Sequence, residues 1–378
     1  MPLPSSHRSW LQRIAWGYLF CSLAITALGL PFLYSAATKA DFSKQIQWLV
    51  IGIALFVIVS SINYRRYMDY VWLFYLGVIG LLVLVLRLPA IRGVNRAIQL
   101  PGFNIQLQPA ELLKVALILV LADYLSKHPN IDSFKGFLLP LTIAGVPIVL
   151  ILMQPDLGTV MTLPALVCAL LFLSGASLWR MASLGIAACA AVIPLWTYVL
   201  HDYQKGRVLA WINPELYAKS TALHMIRGLT AIAHGGFYGQ GLGNGVLTEL
   251  DMLPEKHNDF IFGVIAEEGG LIAAGGLIFL FLLLTVQGFI IAYKAANPTG
   301  RLIAAGVSAM IGGQALINIG VVTGLLPTTG ITLPLVSYGG SSLAATFVML
   351  GLVMSVYSEE RNPKPWEMTL DERKQREV

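Results

Sequence analysis

A succession of ten apolar segments determines what this chain can fold into. Crossing a bilayer as an α-helix takes roughly 20 predominantly apolar residues, and each segment approaches or exceeds that length. In chain order the segments are 14–36, 46–62, 70–88, 110–125, 137–153, 159–176, 181–200, 270–293, 302–324 and 340–357. The fourth and fifth are short and need helical flanks. We predict an all-α integral membrane protein with ten transmembrane helices and one large loop, at about 201–259, between the seventh and the eighth.

Composition agrees with this class, because a chain with 56% hydrophobic and 12% charged residues is too apolar for an ordinary soluble domain. The basic residues then orient the chain, since cytoplasmic loops are rich in Lys and Arg. Fourteen fall on the side of both termini, and five fall in the short loops opposite. We predict that both termini are cytoplasmic and that the long loop is outside. The net charge of +5 therefore reflects topology, and no nucleic-acid surface is expected.

The predicted organisation is one membrane domain, 1–357, followed by a polar cytoplasmic tail, 358–378. The polar motifs share one property, which is that all of them fall on the predicted outer side. They lie at 93–96, 108–114, 154–159, 201–259 and 326–342. The working surface is therefore expected to face outward, where no nucleotide triphosphate is available.

Glu111 and Lys114 follow Pro109, a residue that suits the first position of a helix. Their spacing of three places both side chains on one helix face. Two interpretations are open. One is an intramembrane ion pair that offsets its own burial cost, and the other is an outward cavity in which Lys114 meets an anionic ligand. Arg96, close upstream, would add a second cation to such a cavity.

Asp156 lies in a turn between two apolar segments, after Pro155 and before Gly158. Asp commonly caps a helix by accepting hydrogen bonds from backbone N–H groups, and we favour this interpretation. A contact with a ligand or a metal stays open, because few carboxylates face this side near the membrane.

The long loop supplies further cations, among them Arg207. Arginine forks match the geometry of phosphate oxygens, although the sequence by itself favours a solvated basic loop. The glycines at 239–245 resemble a dinucleotide fingerprint, but that motif needs a preceding strand and a βαβ unit. We interpret these glycines as tight turns that shape the loop.

The run from Leu253 to Phe260 places polar side chains directly before a long apolar segment, and Asp259 is its main candidate for chemistry. Ionisable groups at membrane depth are costly and mark functional sites. The dipole of the following helix would stabilise the Asp259 anion, whereas desolvation by apolar neighbours opposes ionisation. A general base requires such a compromise, and a helix cap is the alternative of equal weight.

A polar cavity with one such carboxylate and several cations suits a lipid-linked anionic substrate, such as a polyprenyl pyrophosphate sugar. Asp259 would take a proton from a sugar hydroxyl, and the hydroxyl oxygen would attack the anomeric carbon of the donor. Cations or Mg²⁺ would neutralise the departing pyrophosphate. A base without a protein nucleophile predicts inversion at that carbon.

Several motifs in one order resemble the SEDS family of RodA, FtsW and SpoVE, over about residues 13–357. They are Gln108 to Lys114, Gln154 to Thr159, Leu253 to Phe260, Asn318 to Gly320, and Gly324 to Ser342. The resemblance implies a ten-helix peptidoglycan glycosyltransferase of the bacterial cytoplasmic membrane that polymerises lipid II on the outer face, beside a class B penicillin-binding protein that cross-links the strands. It implies that Asp259 is the catalytic residue and that Glu111, Lys114 and Asp156 are functionally important.

Further candidate residues and partners complete the prediction. Arg96, Arg207, His257 and Ser337 are expected to bind substrate with the three residues just named. A divalent cation, Mg²⁺ or Mn²⁺, is left open as a companion of the pyrophosphate, and no nucleotide is expected. Further partners are the bilayer and other proteins of the elongation or division complex. The chain departs from the usual pattern of this family at Ala97, Arg227, Gly228 and Asn258.

Within the family, the segment before Arg207 and the motif Leu33 to Ala36 look like RodA, the elongation enzyme. The segment Gln314 to Gly320 and the pair Ser341 and Ser342 also suit FtsW, the division enzyme. We expect a RodA-like role, with FtsW as the alternative. Two other classes are open: a flippase for the lipid-linked precursor, which would need polar groups through the bilayer and on both faces, and a scaffold that recruits a transpeptidase.

Overall fold

The computed structural model describes residues 14–88, 97–100, 105–128, 130–154, 156–218, 222–250, 252–253 and 255–360. Within these residues the fold is helical apart from one small hairpin. The helices are α1 (Trp16–Ala36), α2 (Lys39–Ser61), α3 (Tyr64–Met68), α4 (Val71–Arg87), α5 (Pro109–Lys127), α6 (Phe134–Leu152), α7 (Leu157–Leu173), α8 (Leu178–Pro194), α9 (Asp202–Ile212), α10 (Leu223–Gly235), α11 (Val246–Glu249), α12 (Ile261–Lys294), α13 (Pro298–Val322) and α14 (Gly340–Glu360). A π-helical turn, Leu195–Val199, continues α8, and the strands are β1 (Ile98–Leu100) and β2 (Ile105–Leu107).

Each of the ten predicted apolar segments overlaps one long helix of the described chain. Seven of these helices have the length and the apolar composition to cross a bilayer, namely α1, α2, α6, α8 with its π-helical turn, α12, α13 and α14. α4 and α7 are apolar but only 17 residues long, and α5 has 19 residues with four charged side chains. The protein is a multi-span helical membrane protein, and ten crossings remain a prediction.

Local capping explains where the two short predicted segments gain their helical flanks. α6 begins at Phe134, before its apolar segment, because the Ser133 Oγ accepts a hydrogen bond from the Gly136 N–H at 3.0 Å. α5 begins with Pro109 in the first turn, as predicted, where the missing N–H costs no helical hydrogen bond. Both segments are therefore longer as helices than as apolar runs.

α13 is the central helix, since α5, α7, α12 and α14 all pack against it. Small residues allow such close approach between membrane helices. A Cβ atom on Gly306 of α13 would lie 3.1 Å from Ile118 of α5 and 3.2 Å from Leu170 of α7. Around this centre, α1 packs against α12 and α2 packs against α14. α8 has no buried residue, so lipid would surround it in a bilayer.

The all-α prediction is confirmed for the fold as a whole, and its one exception among the described residues is a short antiparallel hairpin of β1 and β2 between α4 and α5. Ile98 is opposite Leu107, and Leu100 is opposite Ile105. Both strands read Ile-Gln-Leu, an alternation of period two that is typical of strands. The signal is present in the sequence, but three residues are too few to stand out between long apolar helices.

The long loop contains α9, α10 and α11, and its glycines make tight turns. Gly239, Gly241 and Gly243 have φ angles of 77°, 94° and 77°, which favour glycine because a Cβ atom would be strained there. The prediction that these glycines shape turns is confirmed.

α12 consists of two helical segments that meet at Gly270, whose φ is 67° and ψ is −168°. The interruption frees backbone carbonyls, which would be costly if they were buried without donors. Gln240 N–H therefore donates to Glu267 O and Gly241 N–H donates to Glu268 O, each at 3.0 Å. The predicted eighth span, 270–293, begins at this interruption.

Polar contacts distinguish the two ends of the bundle. At one end, called the site end, Gln45 Nε2 of α2 donates to Ser337 O at 3.1 Å. At the opposite end, Arg65 Nε lies 2.6 Å from Glu359 Oε1, which ties α3 to the end of α14. α14 continues to Glu360, past the predicted domain boundary at 357, and residues 361–378 of the predicted tail lie outside the described residues.

Candidate active site

The site end is organised around an irregular segment, 328–332, called the central loop. Two amides on consecutive turns of α13 hold its backbone. Asn318 Nδ2 donates to Ile331 O at 2.6 Å, and Gln314 Nε2 donates to Thr332 O at 2.9 Å. Residues four apart share a helix face, so α13 fixes two successive carbonyls of the loop at once.

Asp259 and Arg207 meet at the central loop. Asn318 Nδ2 also donates to Asp259 O, at 2.8 Å, which joins the backbone of Asp259 to the loop. A Cβ atom on Gly330 would lie 3.4 Å from Asp259 Oδ2 and 4.0 Å from Arg207 Nη1. Arg207 Nη1 donates to Thr328 O at 3.4 Å. A half-buried carboxylate and a half-buried guanidinium therefore face the same side-chain-free position.

Asp259 is not the N-cap residue of α12. α12 begins at Ile261 and its N-cap residue is Phe260, which makes no side-chain capping bond. Asp259 lies one residue before the cap, close enough for the positive end of the helix dipole to favour its anion. Its carboxylate is thus positioned beside the central loop by the turn that precedes the helix.

Glu111 and Lys114 form an ion pair, with Lys114 Nζ 2.7 Å from Glu111 Oε2 and both side chains buried. Lys114 Nζ also donates to Gln314 Oε1 at 2.9 Å, and Gln314 in turn holds Thr332 O. The first interpretation of this pair, a mutually compensating intramembrane pair, therefore describes the geometry. Substrate binding by Glu111 and Lys114 stays a prediction, and the contacts show that the pair braces the central loop.

Asp156 is the N-cap residue of α7, as predicted. Its Oδ1 accepts from Thr159 N–H at 3.2 Å, and its Oδ2 accepts from Thr159 Oγ1 at 3.0 Å. Gln108 Nε2, directly before α5, donates to Asp156 Oδ2 at 3.2 Å. A Cβ atom on Gly158 would lie 2.9 Å from Thr329 O, so this capped terminus packs directly against the central loop. A ligand contact of Asp156 stays a prediction.

Ser337 and His257 connect the segment before Asp259 to the start of α14. Ser337 Oγ donates to Asn258 O at 2.6 Å and accepts from Leu333 N–H at 2.7 Å. Tyr338 N–H donates to His257 O at 2.8 Å. The Ser337 hydroxyl therefore positions the chain next to Asp259, and substrate binding by Ser337 and His257 stays a prediction. Arg96 lies outside the described residues.

His224 of α10 lies close to the guanidinium groups of Arg207 and Arg227. Burial lowers the pKa of His224 from its ordinary value, and the positive charges of Arg207 and Arg227 lower it further, against a weaker opposing effect of Glu255. Its ring centroid is 6.2 Å from that of Phe260. The neutral imidazole is therefore favoured next to Arg207, which adds a hydrogen-bonding group to the site without adding charge.

The role of three amide side chains in building the site was not predicted from the sequence. Gln314, Asn318 and Gln45 are buried, and each donates to a backbone carbonyl of the segment from 331 to 337. Asn318 also donates to Asp259 O, in the turn before α12. A buried amide in an apolar helix must find hydrogen-bond partners, and the spacing of four between Gln314 and Asn318 was the available signal. No group of three or more His, Cys, Asp or Glu side chains arranged to hold a metal occurs in the described part of the chain.

The fold and this site define a polytopic membrane protein in which a carboxylate and a guanidinium meet at one end of a helical bundle. The chain belongs to the cell cycle protein family of FtsW, RodA and SpoVE, whose family model matches residues 15–362. The predicted family is therefore confirmed.

Relatives in this family carry two names at the same similarity. The probable peptidoglycan glycosyltransferase FtsW of Geobacter metallireducens is 36% identical over 354 residues, covering 89% of this chain and 93% of its own length. The peptidoglycan glycosyltransferase MrdB of Escherichia coli K12 is also 36% identical, over 347 residues, covering 91% of this chain and 93% of its own length.

Solved structures share the fold. A chain of a peptidoglycan synthase complex that coordinates polymerization and crosslinking has a TM-score of 0.80 and 33% identity, covering 92% of this chain and 99% of that chain. The rod shape determining protein RodA of Thermus thermophilus has a TM-score of 0.71 and 30% identity, covering 93% of this chain and 98% of that chain. These similarities extend over nearly the whole chain.

Proposed function

We propose that this chain is a peptidoglycan glycosyltransferase that polymerises lipid II. The observation that carries the proposal is that the Asp259 carboxylate and the Arg207 guanidinium both lie next to Gly330, at 3.4 Å and 4.0 Å from the position that a Cβ atom would take there. The names of the relatives, FtsW and MrdB, support the same activity. A base and an anion-binding group at one point are the minimum that transfer from a pyrophosphate-linked sugar requires.

In the proposed reaction, Asp259 accepts the proton of a sugar hydroxyl on one glycan. The hydroxyl oxygen forms a bond to the anomeric carbon of the second glycan as the bond from that carbon to the pyrophosphate breaks. Undecaprenyl pyrophosphate leaves with the bonding electrons, and the proton passes from Asp259 to solvent. Direct attack from the face opposite the leaving group inverts the anomeric carbon.

Arg207 is proposed to bind the departing pyrophosphate, because guanidinium groups pair with phosphate oxygens through two parallel hydrogen bonds. Because Gly330 has no side chain, the position next to Arg207 and Asp259 is open to the reacting groups. If a divalent cation, Mg²⁺ or Mn²⁺, takes part, it binds together with the substrate. Mg²⁺ is commonly held by one or two carboxylates together with substrate phosphates and water, and the described residues form no cluster that would bind it alone.

The site end is proposed to face outward, in the bacterial cytoplasmic membrane, with both termini in the cytoplasm. The basic residues support this orientation, since cytoplasmic loops carry more Lys and Arg. A class B penicillin-binding protein is the proposed partner. Its support is the similarity to a chain of a complex that coordinates polymerization and crosslinking.

For the biological role, we propose elongation, with division as the alternative. The similarity to a RodA structure supports the first role, whereas an FtsW relative of equal identity supports the second. Expression of the chain in bacterial cells depleted of either protein distinguishes the roles. Restored rod shape supports elongation, and restored septation supports division.

The polymerisation test uses the full chain with a class B partner in detergent or vesicles, with labelled lipid II as substrate. Asp259→Asn is expected to reduce polymer formation by roughly 10²–10⁴-fold, since it removes the base while conserving shape. Asp123→Asn, a matched substitution at the opposite end of the bundle, should retain activity. Full activity of Asp259→Asn would refute the assignment of the base, and transfer of lipid II across vesicles without polymer would favour a flippase.

A further inference from the structure

Helix α10 carries two of the residues at which the chain departs from the usual pattern of its family, Arg227 and Gly228. Gly228 lies against Phe260, the residue that follows Asp259. A Cβ atom on Gly228 would lie 3.2 Å from the Phe260 ring and 3.2 Å from Val322 O. Both distances are shorter than an ordinary van der Waals contact, so the missing side chain lets α10 approach α12 and α13 closely. Arg227 is therefore held near the start of α12.

Helices α9 and α10 converge on the stretch of chain that leads into the central loop. Trp211 Nε1 of α9 donates to Gly324 O at 3.0 Å, and a Cβ atom on Gly324 would lie 3.3 Å from Leu229 of α10. Arg207 precedes Trp211 by four residues and shares its helix face, and its Nη1 donates to Thr328 O at 3.4 Å. Both helices therefore lie directly beside the proposed site of reaction.

Arg207 and Arg227 lie close to the same imidazole. His224 precedes Arg227 by three residues and shares its face of α10, and the positive charges of both guanidinium groups lower the pKa of His224. The His224 ring also lies beside the Phe260 ring, with 6.2 Å between the centroids. The two guanidinium groups and the neutral imidazole thus form one group of hydrogen-bond donors that carries two positive charges.

The charge of Arg227 is not compensated by a carboxylate. Arg207 has the Asp259 carboxylate nearby, at Gly330, whereas Arg227 forms no ion pair with an Asp or Glu of the described residues. The Glu255 carboxylate, whose effect on His224 is the smallest of the three charges, accepts from Asn258 Nδ2 at 2.6 Å. Half-buried cations that share a neighbourhood repel each other, and an anion bound between them would remove this repulsion.

The guanidinium of Arg227 has donors to spare. Its Nη1 donates to Met252 O at 2.6 Å, which is the one hydrogen bond of its side chain within the described residues. A guanidinium offers five N–H donors in a planar fork. A tether between α10 and the loop would need one donor and no charge, so four donors and the charge are open to a ligand.

We propose that Arg227 binds the second phosphate of the pyrophosphate, the one that carries the polyprenyl chain, while Arg207 binds the phosphate that separates from the sugar. The inference rests on the proposed function, because it divides the pyrophosphate of that reaction between two residues. Arg207 lies beside Asp259 and Gly330, where the bond to the anomeric carbon breaks, and Arg227 is the neighbouring cation on α10. Arg227 therefore makes the site specific for a diphosphate over a monophosphate.

The test is a binding measurement that needs no turnover. Farnesyl diphosphate and farnesyl monophosphate are the probes, and the full chain is kept in detergent with EDTA so that no divalent cation replaces a guanidinium. Wild type is expected to bind the diphosphate more tightly by roughly tenfold or more, since a second phosphate gains a charge-assisted pair of hydrogen bonds. Arg227→Gln should remove most of this preference and leave the monophosphate Kd within about twofold of wild type.

Three further variants separate phosphate binding from a structural role. Arg227→Lys keeps the charge and loses the fork, so its preference should lie between those of wild type and Arg227→Gln. Arg207→Gln should weaken binding of both probes. Arg301→Gln is the matched control and should bind like wild type, because Arg301 Nη2, at the opposite end, likewise donates to a backbone carbonyl, Ala295 O, at 3.2 Å. If Arg227 were only a tether, Arg227→Gln would weaken both probes by the same factor.

The outcomes distinguish this inference from the proposed function. If wild type makes no polymer from lipid II but its diphosphate preference depends on Arg227, the polymerase proposal fails and the phosphate assignment stands. If wild type polymerises lipid II and Arg227→Gln keeps the full preference, the phosphate assignment alone fails. Equal weakening of both probes by Arg227→Gln, or a wild type that binds both probes equally, also overturns the phosphate assignment.

Discussion

Helix α5 carries one ion pair near each end, and the two pairs have the same length but different surroundings. Lys114 Nζ lies 2.7 Å from Glu111 Oε2 at the site end, and Lys127 Nζ lies 2.7 Å from Asp123 Oδ1 at the opposite end. The side chain of Lys114 is 3% exposed, whereas that of Lys127 is 64% exposed. The two pairs therefore have the same N–O distance, and they differ in the exposure of the lysine.

The connections of each pair show what this difference means. Beyond its partner, Lys114 donates to Gln314, which holds the central loop. The acid of the second pair accepts from Trp72 Nε1 at 3.1 Å, which joins α4 to α5, and its lysine extends into the surroundings. At the site end, charge is buried inside a network that positions backbone near Asp259. At the opposite end, the ion pair lies at the contact between α4 and α5. Its exposed lysine can be replaced without disturbing the site.

The largest expected difference between the ends is in stability. Lys114→Ala leaves the Glu111 carboxylate buried without its cation, so we expect a loss of about 3–5 kcal/mol in the free energy of unfolding. Lys127→Ala also leaves a buried carboxylate, since the Asp123 side chain is 5% exposed, but Asp123 keeps its Trp72 bond and water can replace the exposed ammonium, so the loss should be smaller, about 1–2 kcal/mol. Denaturation in detergent at fixed lipid and salt measures both values.

A double variant tests whether the uncompensated charge causes the loss. Glu111→Gln combined with Lys114→Met removes both charges and keeps the side-chain volumes similar, so stability should return to near wild type. Equal losses for Lys114→Ala and Lys127→Ala would mean that burial does not distinguish the two pairs.

Two glycines with positive φ, one at each end of the bundle, differ in their surroundings. Gly330 has φ 77° at the site end and Gly175 has φ 87° in the turn between α7 and α8. Alanine should cost about 1–2 kcal/mol of stability at either position because a left-handed conformation strains a Cβ atom. A Cβ at Gly175 meets nothing within 4 Å, whereas one at Gly330 lies beside Asp259 and Arg207.

Activity should therefore separate the two variants. Gly330→Ala places a methyl group in the space where the proposed reacting groups meet, and we expect polymerisation to fall roughly 10- to 100-fold per folded molecule. Gly175→Ala should keep its activity per folded molecule. Lipid II polymerisation, normalised to folded protein by size-exclusion chromatography, gives both numbers. Normal activity of Gly330→Ala would show that the chemistry takes place elsewhere.

The same two ends show which features a sequence can predict. Apolar length predicted where the long helices lie, and the N-cap role of Asp156 followed from its residue type and its place in a turn. Both depend on neighbours along the chain. The contacts at the central loop could not be predicted from the sequence. Asn318, Asp259 and Ile331 are brought together by packing of α13 against α12, and no local pattern indicates this.

The helix-cap alternative for Asp259 illustrates the limit at the scale of one residue. Sequence places the helix start only to within a few residues, and a shift of one position decides whether a side chain caps the helix or projects beside it. The ion pair of Glu111 and Lys114 was foreseen as one of two alternatives. Choosing between them required the position of Gln314 on another helix, which spacing within α5 cannot supply.

The smallest expected effect is a pH dependence confined to the site end. Burial and the nearby charges of Arg207 and Arg227 lower the pKa of His224 in the folded protein, so the unfolded chain, with an ordinary pKa near 6.5, binds a proton first as the pH falls. Stability contributed by neutral His224 is present above about pH 6.5 and is lost as the pH falls below it. Wild-type melting temperature should therefore drop between pH 7.5 and 5.5 more steeply than that of His224→Gln. Arg227→Gln, which removes one of the charges, should give an intermediate slope, and identical slopes for wild type and His224→Gln would contradict the effect.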